Sequence, residues 1–528
     1  MKTAVVWFRK CLRLDDNPSL VQACEDSNVD SILPIFILDP GIVGEGFEKY
    51  GKNRLRFLLE NLEDLDQQLQ AKVSNPLHIF HGSPSNAVVG LQNYLKDRMY
   101  SFHSEYCSEP HGRSISQSIQ DTLSTDKDIP CHFHPASHTI LDLEKTISVD
   151  GFKNPKSMKD IQKIFSSTFS IDQDGFFQIP EISPEPKVLK PPPSDFNFQS
   201  CAQLFKGDLH TCSSLRIKFS KLKFLDTTDE NCYFKGGESI ARERLKEKVS
   251  TRHDYVNTFK KPKTSSTNIP SNPREPSTTG LSPYITVGSL SVRRLWKEVE
   301  KANRTGPHST PPESLHGQLL FREMFYLLSR SVENWDQDQN NSMCKEIKWG
   351  EHDDIKMTAW EDGKTGFPLI DALMRQLKST GWMHHLGRHA VSCFLTRGQL
   401  WQHWKSGRDI FDHKLLDSDW ALNNANWLWL SGVAPFSMPY FRLYNPCPDG
   451  KSSLNVDAET AGFIRHWVPE LENFPVKYIY EPHLAPLGIQ ESAGCIIGKD
   501  YPLPIVNRKE VAKENLASFK TSLAQLSA

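Results

Sequence analysis

The segment Trp382-Met383-His384-His385-Leu386-Gly387-Arg388-His389 sets three imidazoles and a guanidinium on an otherwise apolar stretch. His385 and His389 are four residues apart, so a helix would place them on one face. Two histidines at this spacing can ligate zinc. The glutamate of an HExxH motif is missing, however, and no acidic third ligand is evident, so no metal is expected. Two readings remain: a pair of satisfied, partly buried histidines, or proton transfer by a side chain that titrates near neutral pH. Tryptophans form a second group. Of the twelve in the chain, eight fall between Trp349 and Trp429. Trp401 and Trp404 are three apart and share a helical face, while Trp427 and Trp429 follow Asp417-Ser418-Asp419-Trp420-Ala421-Leu422-Asn423. Indole is readily oxidised, and closely spaced indoles can relay an electron. Spacing alone does not separate a relay from core packing, which is the commoner use. A third group is the basic stretch 242–263, eight Lys/Arg against three Asp/Glu. It reads as a solvated helix face or as an edge that tracks phosphates. Its Lys260-Lys261-Pro262-Lys263 run is a weak nuclear-import signal.

The elements that must position these groups come from a chain of 528 residues, 38% apolar and 24% charged, with a mean hydropathy of −0.49. Those values describe a soluble globular protein with room for two or more domains. A net charge of −2 provides no global basic field, so any nucleic-acid contact has to come from a local patch. Eleven cysteines without a CxxC pair read as reduced thiols rather than a disulfide framework. The apolar run at 3–8 is too short for a signal peptide. No apolar run of about 18 residues occurs, so no membrane span is expected.

Short apolar runs at 3–8, 32–38, 77–80, 100–104 and 131–134 alternate with helical patterns at 53–69 and 85–95. That alternation predicts a parallel sheet covered by helices. A GxGxxG dinucleotide fingerprint is absent. Residues 140–230 read as a proline-rich interdomain connector, with seven prolines between Pro155 and Pro193. Its length suggests some local structure as well. From Tyr233 onward the pattern is helical, with helices expected at 234–249, 287–301, 315–329, 367–378, 382–396 and 399–405. The expected organisation is an α/β domain at 1–139, the connector at 140–230, an all-helical domain at 231–510 and a short tail at 511–528.

Five segments resemble, in order, motifs of the photolyase/cryptochrome family, in its (6-4) photolyase and animal-like cryptochrome branch. They are Trp7-Phe8-Arg9-Lys10-Cys11-Leu12-Arg13-Leu14-Asp15-Asp16-Asn17-Pro18, Phe234-Lys235-Gly236-Gly237-Glu238, Thr278-Thr279-Gly280-Leu281-Ser282-Pro283-Tyr284, Trp360-Glu361-Asp362-Gly363-Lys364-Thr365-Gly366-Phe367-Pro368 and residues 417–427. The resemblance runs from about residue 3 to 510, with the connector outside it. It implies a Rossmann-like α/β N-terminal domain and an all-α C-terminal domain holding FAD in a U shape. It implies that Tyr255, Thr278, Thr279, Leu281 and Ser282 hold the pyrophosphate side. Gln318, Arg322, His385, Arg388, Asp417, Asp419 and Asn423 would line the rest, with Arg388 and Asp417 as a charge pair and Asn423 facing flavin N5. By the same resemblance Trp427, Trp404 and Trp349 form an electron relay, and Trp401 is its fourth member.

The resemblance also implies the lesion. Relatives that split cyclobutane dimers have Asn where this chain has His385, whereas the (6-4) photoproduct needs a proton donor; His385 is expected as the acid and His389 as its partner. Gln318, Phe321 and Tyr440 are expected to contact the substrate. Three departures stand out: Phe321 where relatives have Trp, Gly387 where they have Ala, and a loop at 432–439 about one residue longer. The expected function is light-driven repair of (6-4) photoproducts in flipped-out dinucleotides of UV-damaged double-stranded DNA. The alternative is a blue-light photoreceptor acting through a protein partner, alone or in addition. A nuclear monomer is expected. A second, antenna chromophore, deazaflavin or folate, is left unassigned.

Overall fold

The computed structural model describes residues 1–194, 196–205, 207–222, 233–261, 275–449, 451–452, 454 and 456–526, without the side chains of residues 126, 127 and 198. The N-terminal sheet grows from two strands buried at every position, β1 (Thr3–Phe8) and β2 (Ser31–Leu38). Continuous apolar runs of this kind suit central parallel strands covered on both faces. Around them lie β3 (His78–His81), β4 (Met99–Glu105), β5 (Cys131–His134) and β6 (Asp208–His210) in the order β5-β4-β1-β2-β3-β6. The first five are parallel and β6 is antiparallel to β3. Side chains of a strand alternate between faces. Accordingly Ala4, Val6 and Phe8 enter one core with Leu55, Leu58, Leu62 and Leu65 of helix Lys52–Val73. Val5 and Trp7 enter the other with Ala87, Val88 and Leu91 of helix Pro84–Leu95.

The connector is not a linker. Six of its seven prolines crowd between Pro180 and Pro193, in the middle of the stretch, and leave apolar segments on either side free to fold. Helix Met158–Thr168, capped by the Ser157 hydroxyl, buries Ile161 and Phe165. Further on, Cys201 and Phe205 enter one sheet core, Leu189, Leu215 and Phe219 enter the other, and β6 extends the sheet. One compact unit therefore comprises residues 1–225, 234–258 and 281–331, which corrects the expected boundaries at 139 and 230. The reason is visible in the motif Phe234 to Glu238. The buried Glu238 carboxylate accepts the backbone N–H of Leu14 at 2.7 Å and of Asp15 at 3.2 Å. Arg293 pairs with the buried Asp16 at 2.8 Å. The first-strand turn and the start of the helical region are thus one hydrogen-bonded structure.

The second unit comprises residues 226–233, 259–280 and 332–528 and is helical among its described residues. Its turn at Thr365–Gly366 is built on Asp371. The buried Asp371 carboxylate accepts the N–H and hydroxyl of Thr365 at 2.8 and 2.6 Å, the N–H of Gly366 at 3.1 Å and the Tyr501 hydroxyl. The helix expected at 399–405 is not formed. The chain leaves helix His385–Cys393 through a π turn at Phe394–Gly398, passes Trp401 at φ 55°, and restarts as Trp404–Lys414 with the His403 ring capping the Lys405 N–H. Nor is 511–528 a tail: helix Arg508–Leu526 packs the fully buried Phe519 into this unit. No helix among the described residues is long and apolar enough to cross a membrane.

Candidate active site

Helix His385–Cys393 starts where the His384 ring caps it, its Nδ1 accepting the Leu386 N–H at 3.1 Å. His385 and His389 then project from successive turns, their rings 6.0 Å apart and nearly perpendicular, with the His384 ring 4.4 Å from His385. Gly387 permits this packing, because a Cβ there would lie 2.5 Å from Leu373 of helix Pro368–Thr380. His385 Nε2 is buried and meets no hydrogen-bond partner among the described residues. Burial holds His385 and His389 well below the usual imidazole range, and neighbouring imidazoles and the Lys261 ammonium add to the effect. Both rings are therefore neutral at pH 7.

His389 is joined by two residues that spacing did not single out for this cluster. Its Nδ1 lies 2.8 Å from the Tyr444 hydroxyl, and its ring meets Trp429 edge-on at 4.9 Å. Tyr440, the tyrosine expected at the substrate, stacks on Phe519 at 4.8 Å. The loop carrying both tyrosines is anchored by the buried Arg397. Its guanidinium donates to the carbonyls of Leu430 (3.1 Å), Tyr440 (2.6 Å) and Arg442 (2.6 Å).

Among the residues expected at the flavin, Arg388 and Asp417 pair at 2.8 Å, and Arg388 also donates to the Met383 carbonyl. Asp419 caps helix Trp420–Leu430 through the Leu422 N–H at 3.1 Å. Asn423 on that helix donates Nδ2 to the Arg408 carbonyl at 3.0 Å. Thr278 and Thr279 belong to this same unit and are half-buried. Tyr255, Leu281, Ser282, Gln318, Phe321 and Arg322 belong to the other unit. There Gln318 donates to the Pro312 carbonyl at 3.2 Å, and Phe321 packs on Phe325. Arg322 lies 4.7 Å from the Tyr326 ring and keeps a buried Nη2 without a partner among the described residues. The unpaired buried Nη2 of Arg322 is costly unless a polar ligand meets it, a need that a flavin would fill; within its own unit the unpaired His385 Nε2 has the same need of a polar partner.

The tryptophans grade from core to surface within the second unit. Trp427 and Trp404 are fully buried, whereas Trp349 and Trp401 are half-buried and 5.0 Å apart. Trp427 is boxed by Phe411 at 5.1 Å and Trp360 at 6.3 Å. The His403 ring lies 5.8 Å from Trp404 and 6.3 Å from Trp349. Gly407 lets helix Trp404–Lys414 approach Trp427, since a Cβ would stand 2.1 Å from the indole. Gly407→Ala is therefore expected to cost about 1–3 kcal/mol by overpacking, measured by urea unfolding. Asp338 holds His403 at 3.1 Å and Lys405 at 2.6 Å. Burial raises its carboxyl, but the hydrogen bonds from Lys405 and His403 outweigh that and hold it at about 2. A depressed carboxyl stabilises the fold above its unfolded value and loses that contribution as pH falls through the folded value. Asp338→Asn should cost about 1 kcal/mol at pH 7, allowing for partial exposure. In urea melts the gap to wild type should close between about pH 4 and pH 2.

The basic stretch is only partly available. Arg242, Lys246 and Arg252 are exposed, but Arg244 is buried against the Phe234 ring at 5.6 Å. Pro262 and Lys263 lie outside the described residues.

With this geometry in view, comparison with known proteins is direct. Residues 4–185 match the family model for DNA photolyase, and residues 314–521 match that for the FAD binding domain of DNA photolyase. The chain is 37% identical to an Arabidopsis thaliana (6-4)DNA photolyase, over 97% of this chain and 87% of the relative. It is 35% identical to mouse Cryptochrome-1, over 99% of this chain and 80% of the relative. A solved bacterial class III photolyase from Agrobacterium tumefaciens superposes with a TM-score of 0.79 at 23% identity, covering 99% of this chain and 98% of that one. A Synechocystis cryptochrome superposes equally well, with a TM-score of 0.79 at 24% identity, covering 98% of this chain and 99% of that one. An α/β sheet domain, a helical FAD-binding domain and near full-length similarity at this level make the chain a member of the photolyase/cryptochrome family.

Proposed function

We propose that this protein repairs (6-4) photoproducts in UV-damaged double-stranded DNA under blue light. The observation that carries the reading is the group His385, His389, Tyr444 and Trp429, in which one imidazole is locked by a hydroxyl and the other offers an unpaired buried Nε2. Similarity to (6-4)DNA photolyases of Arabidopsis thaliana and rice, both at 37% identity, supports it. FAD, when bound, supplies a light-activated electron to the lesion. The chain's own residues do the rest. Arg388, paired with Asp417, holds a fixed positive charge on the flavin side of the helix. Trp429 presents an aromatic face to a base. His389, oriented by Tyr444, fixes His385, which delivers a proton from Nε2 to the base oxygen being moved. A neutral imidazole becomes a donor when negative charge arrives beside it, and the phosphates of bound DNA bring such charge. Trp427, Trp404, Trp349 and Trp401 return the oxidised cofactor to its working state. The protein acts as a monomer in the nucleus, where this substrate lies.

The second reading is a photoreceptor. It is favoured by Phe519 of the C-terminal helix, which packs on Trp349 at 6.0 Å and Trp401 at 6.4 Å, beside the surface end of the relay. The test uses purified, photoreduced protein and oligonucleotides carrying one (6-4) photoproduct or one cyclobutane dimer. Restoration of the (6-4) substrate alone is the expected result. Restoration of neither, with flavin bound and photoreducible, would replace repair by photoreception.

A further inference from the structure

Trp404 differs from its neighbours in a way that burial alone does not express. Its Nε1 is buried and has no hydrogen-bond partner among the described residues. Trp360, which packs on Trp427, shows the usual arrangement, its N–H donated to the Val391 carbonyl at 3.1 Å. A buried N–H is seldom left without an acceptor. The His403 ring, 5.8 Å from Trp404, has both nitrogens committed elsewhere. Its Nδ1 accepts the Lys405 N–H at 3.1 Å, which leaves Nε2 to donate to the Asp338 carboxylate at 3.1 Å.

Trp404 also lies against a positive charge. Arg408, one turn on in helix Trp404–Lys414, sets its guanidinium 5.5 Å from the centre of the Trp404 ring. It is fixed there. Nη1 donates to the Asp336 carbonyl at 2.7 Å and to Asn424 Oδ1 at 3.1 Å, while Nε and Nη2 donate to Asp409 Oδ1 at 2.9 and 2.7 Å. The Asp409 side chain is 66% exposed and that of Arg408 15%, so water screens the carboxylate far more than the guanidinium. The contact changes sign with oxidation state. A guanidinium over a neutral indole is attracted to its π face. Once the indole has lost an electron, the same two groups are like charges at short range in a poorly screened interior. An indole radical cation can shed its charge by releasing the Nε1 proton, but no acceptor meets Trp404 Nε1 among the described residues. Trp349 and Trp401, half-buried and 5.0 Å apart, meet water, which solvates a charge and accepts a proton.

We propose that Arg408 is a positioning residue of the electron relay: acting through Trp404, it keeps the electron deficit from resting there and drives it outward. The inference rests on the tryptophan relay of the proposed function. Light draws one electron from Trp427 to the cofactor, one from Trp404 refills Trp427, and one from Trp349 or Trp401 refills Trp404. Each transfer leaves the deficit one indole further out. On the outer pair the Nε1 proton passes to water, and the neutral radical left behind takes an electron and a proton from a solvent thiol. A deficit that lingered on Trp404 would instead be refilled from within, and the light energy would be lost.

The test follows the light-induced radical pair in full-length, FAD-loaded protein by transient absorption, with pulsed EPR to read the distance between its two spins. In wild type the outer spin is expected on Trp349 or Trp401. Arg408→Met should shorten the lifetime of the pair about tenfold and bring the spins closer, as the deficit dwells on Trp404. Arg408→Gln repeats the measurement with a side chain that can still bond the Asp336 carbonyl. Arg408→Lys keeps the charge and should restore most of the lifetime. Asp409→Asn breaks the ion pair but keeps the guanidinium, and it should behave as wild type does; a merely structural pair would fail in both variants alike. Unchanged flavin content checks that each variant is folded. A wild-type lifetime in Arg408→Met and Arg408→Gln, an equal loss in Asp409→Asn, or no recovery in Arg408→Lys each overturns the assignment of Arg408 and leaves the relay standing. A radical pair that persists in Trp404→Phe overturns the relay itself, and the role of Arg408 with it.

Discussion

His385→Ala should lower the repair rate of a (6-4) photoproduct by about 10²–10⁴-fold, the usual contribution of a positioned acid or base. His389→Ala should fall in the same range, because His389 is the ring that Tyr444 and Trp429 hold in place. His389→Ala leaves the Arg388–Asp417 pair in place, so its flavin content and photoreduction should match wild type, and His385→Ala, at a position expected to line the flavin as well, is compared per bound flavin. Tyr444→Phe separates position from chemistry. It removes only the hydroxyl 2.8 Å from His389 Nδ1 and should give a smaller loss, about tenfold. Burial keeps both imidazoles far below their ordinary range, so the protonated donor is a minor species near neutrality. The repair rate of wild type should therefore climb as pH falls from 8 towards about 6, while His385→Ala shows a flat profile. Repair at wild-type rate in His385→Ala would remove the acid assignment. A flat wild-type profile would instead point to water as the donor.

Trp404→Phe should bring photoreduction of the oxidised protein down to background. Trp404, like Trp427, is fully buried, whereas Trp349 and Trp401 are half-buried, so no solvent reductant reaches it directly. Phe keeps most of the ring volume but is far harder to oxidise. Trp401→Phe should have a lesser effect, because Trp349 remains half-buried 5.0 Å away. The decisive comparison is repair after chemical reduction. Trp404→Phe reduced with dithionite should repair as well as wild type, since the relay prepares the cofactor and takes no part in proton delivery. Normal photoreduction in Trp404→Phe would move the relay to Trp360, which packs on Trp427 at 6.3 Å and donates its indole N–H to the Val391 carbonyl.

The five parallel strands were legible because each is a short apolar run between turn-forming residues, and their observed limits differ from expectation by a residue or two. β6 was not, because Asp208-Leu209-His210 is too short and too polar to register; only pairing with β3 makes it a strand. The prolines of the connector drew attention away from Ile161, Phe165, Leu215 and Phe219, which bury as core residues do. Helical spacing between Trp401 and Trp404 suggested a helix at 399–405, yet Trp401 adopts a left-handed φ that no periodicity announces. In the site, the i,i+4 relation of His385 and His389 and the Arg388–Asp417 pair were readable from residue type and order. Tyr444 was not, because which tyrosine of the 440–444 segment turns inward depends on Arg397, a buried cation gripping carbonyls far along the chain. Residue identity alone carries no record of that grip.

The interleaving of chain segments in the sheet-bearing unit has a practical consequence for dissecting the protein. A fragment ending at residue 139 would lose β6 and leave the β3 edge of the sheet open to pairing with other chains. One ending at 230 would still lack Glu238, whose carboxylate ties down the Leu14 and Asp15 amides, and Arg293, the partner of Asp16. Three buried polar groups, the Leu14 and Asp15 amides and the Asp16 carboxylate, would be orphaned at a single cut. Neither piece would behave as an autonomous module. Mixing residues 1–230 with 231–528, on the other hand, should restore a soluble complex, because the severed bonds are complementary and confined to a few named residues. The step from sheet to helices in the sequence falls inside one compact unit, so it is no place to cut.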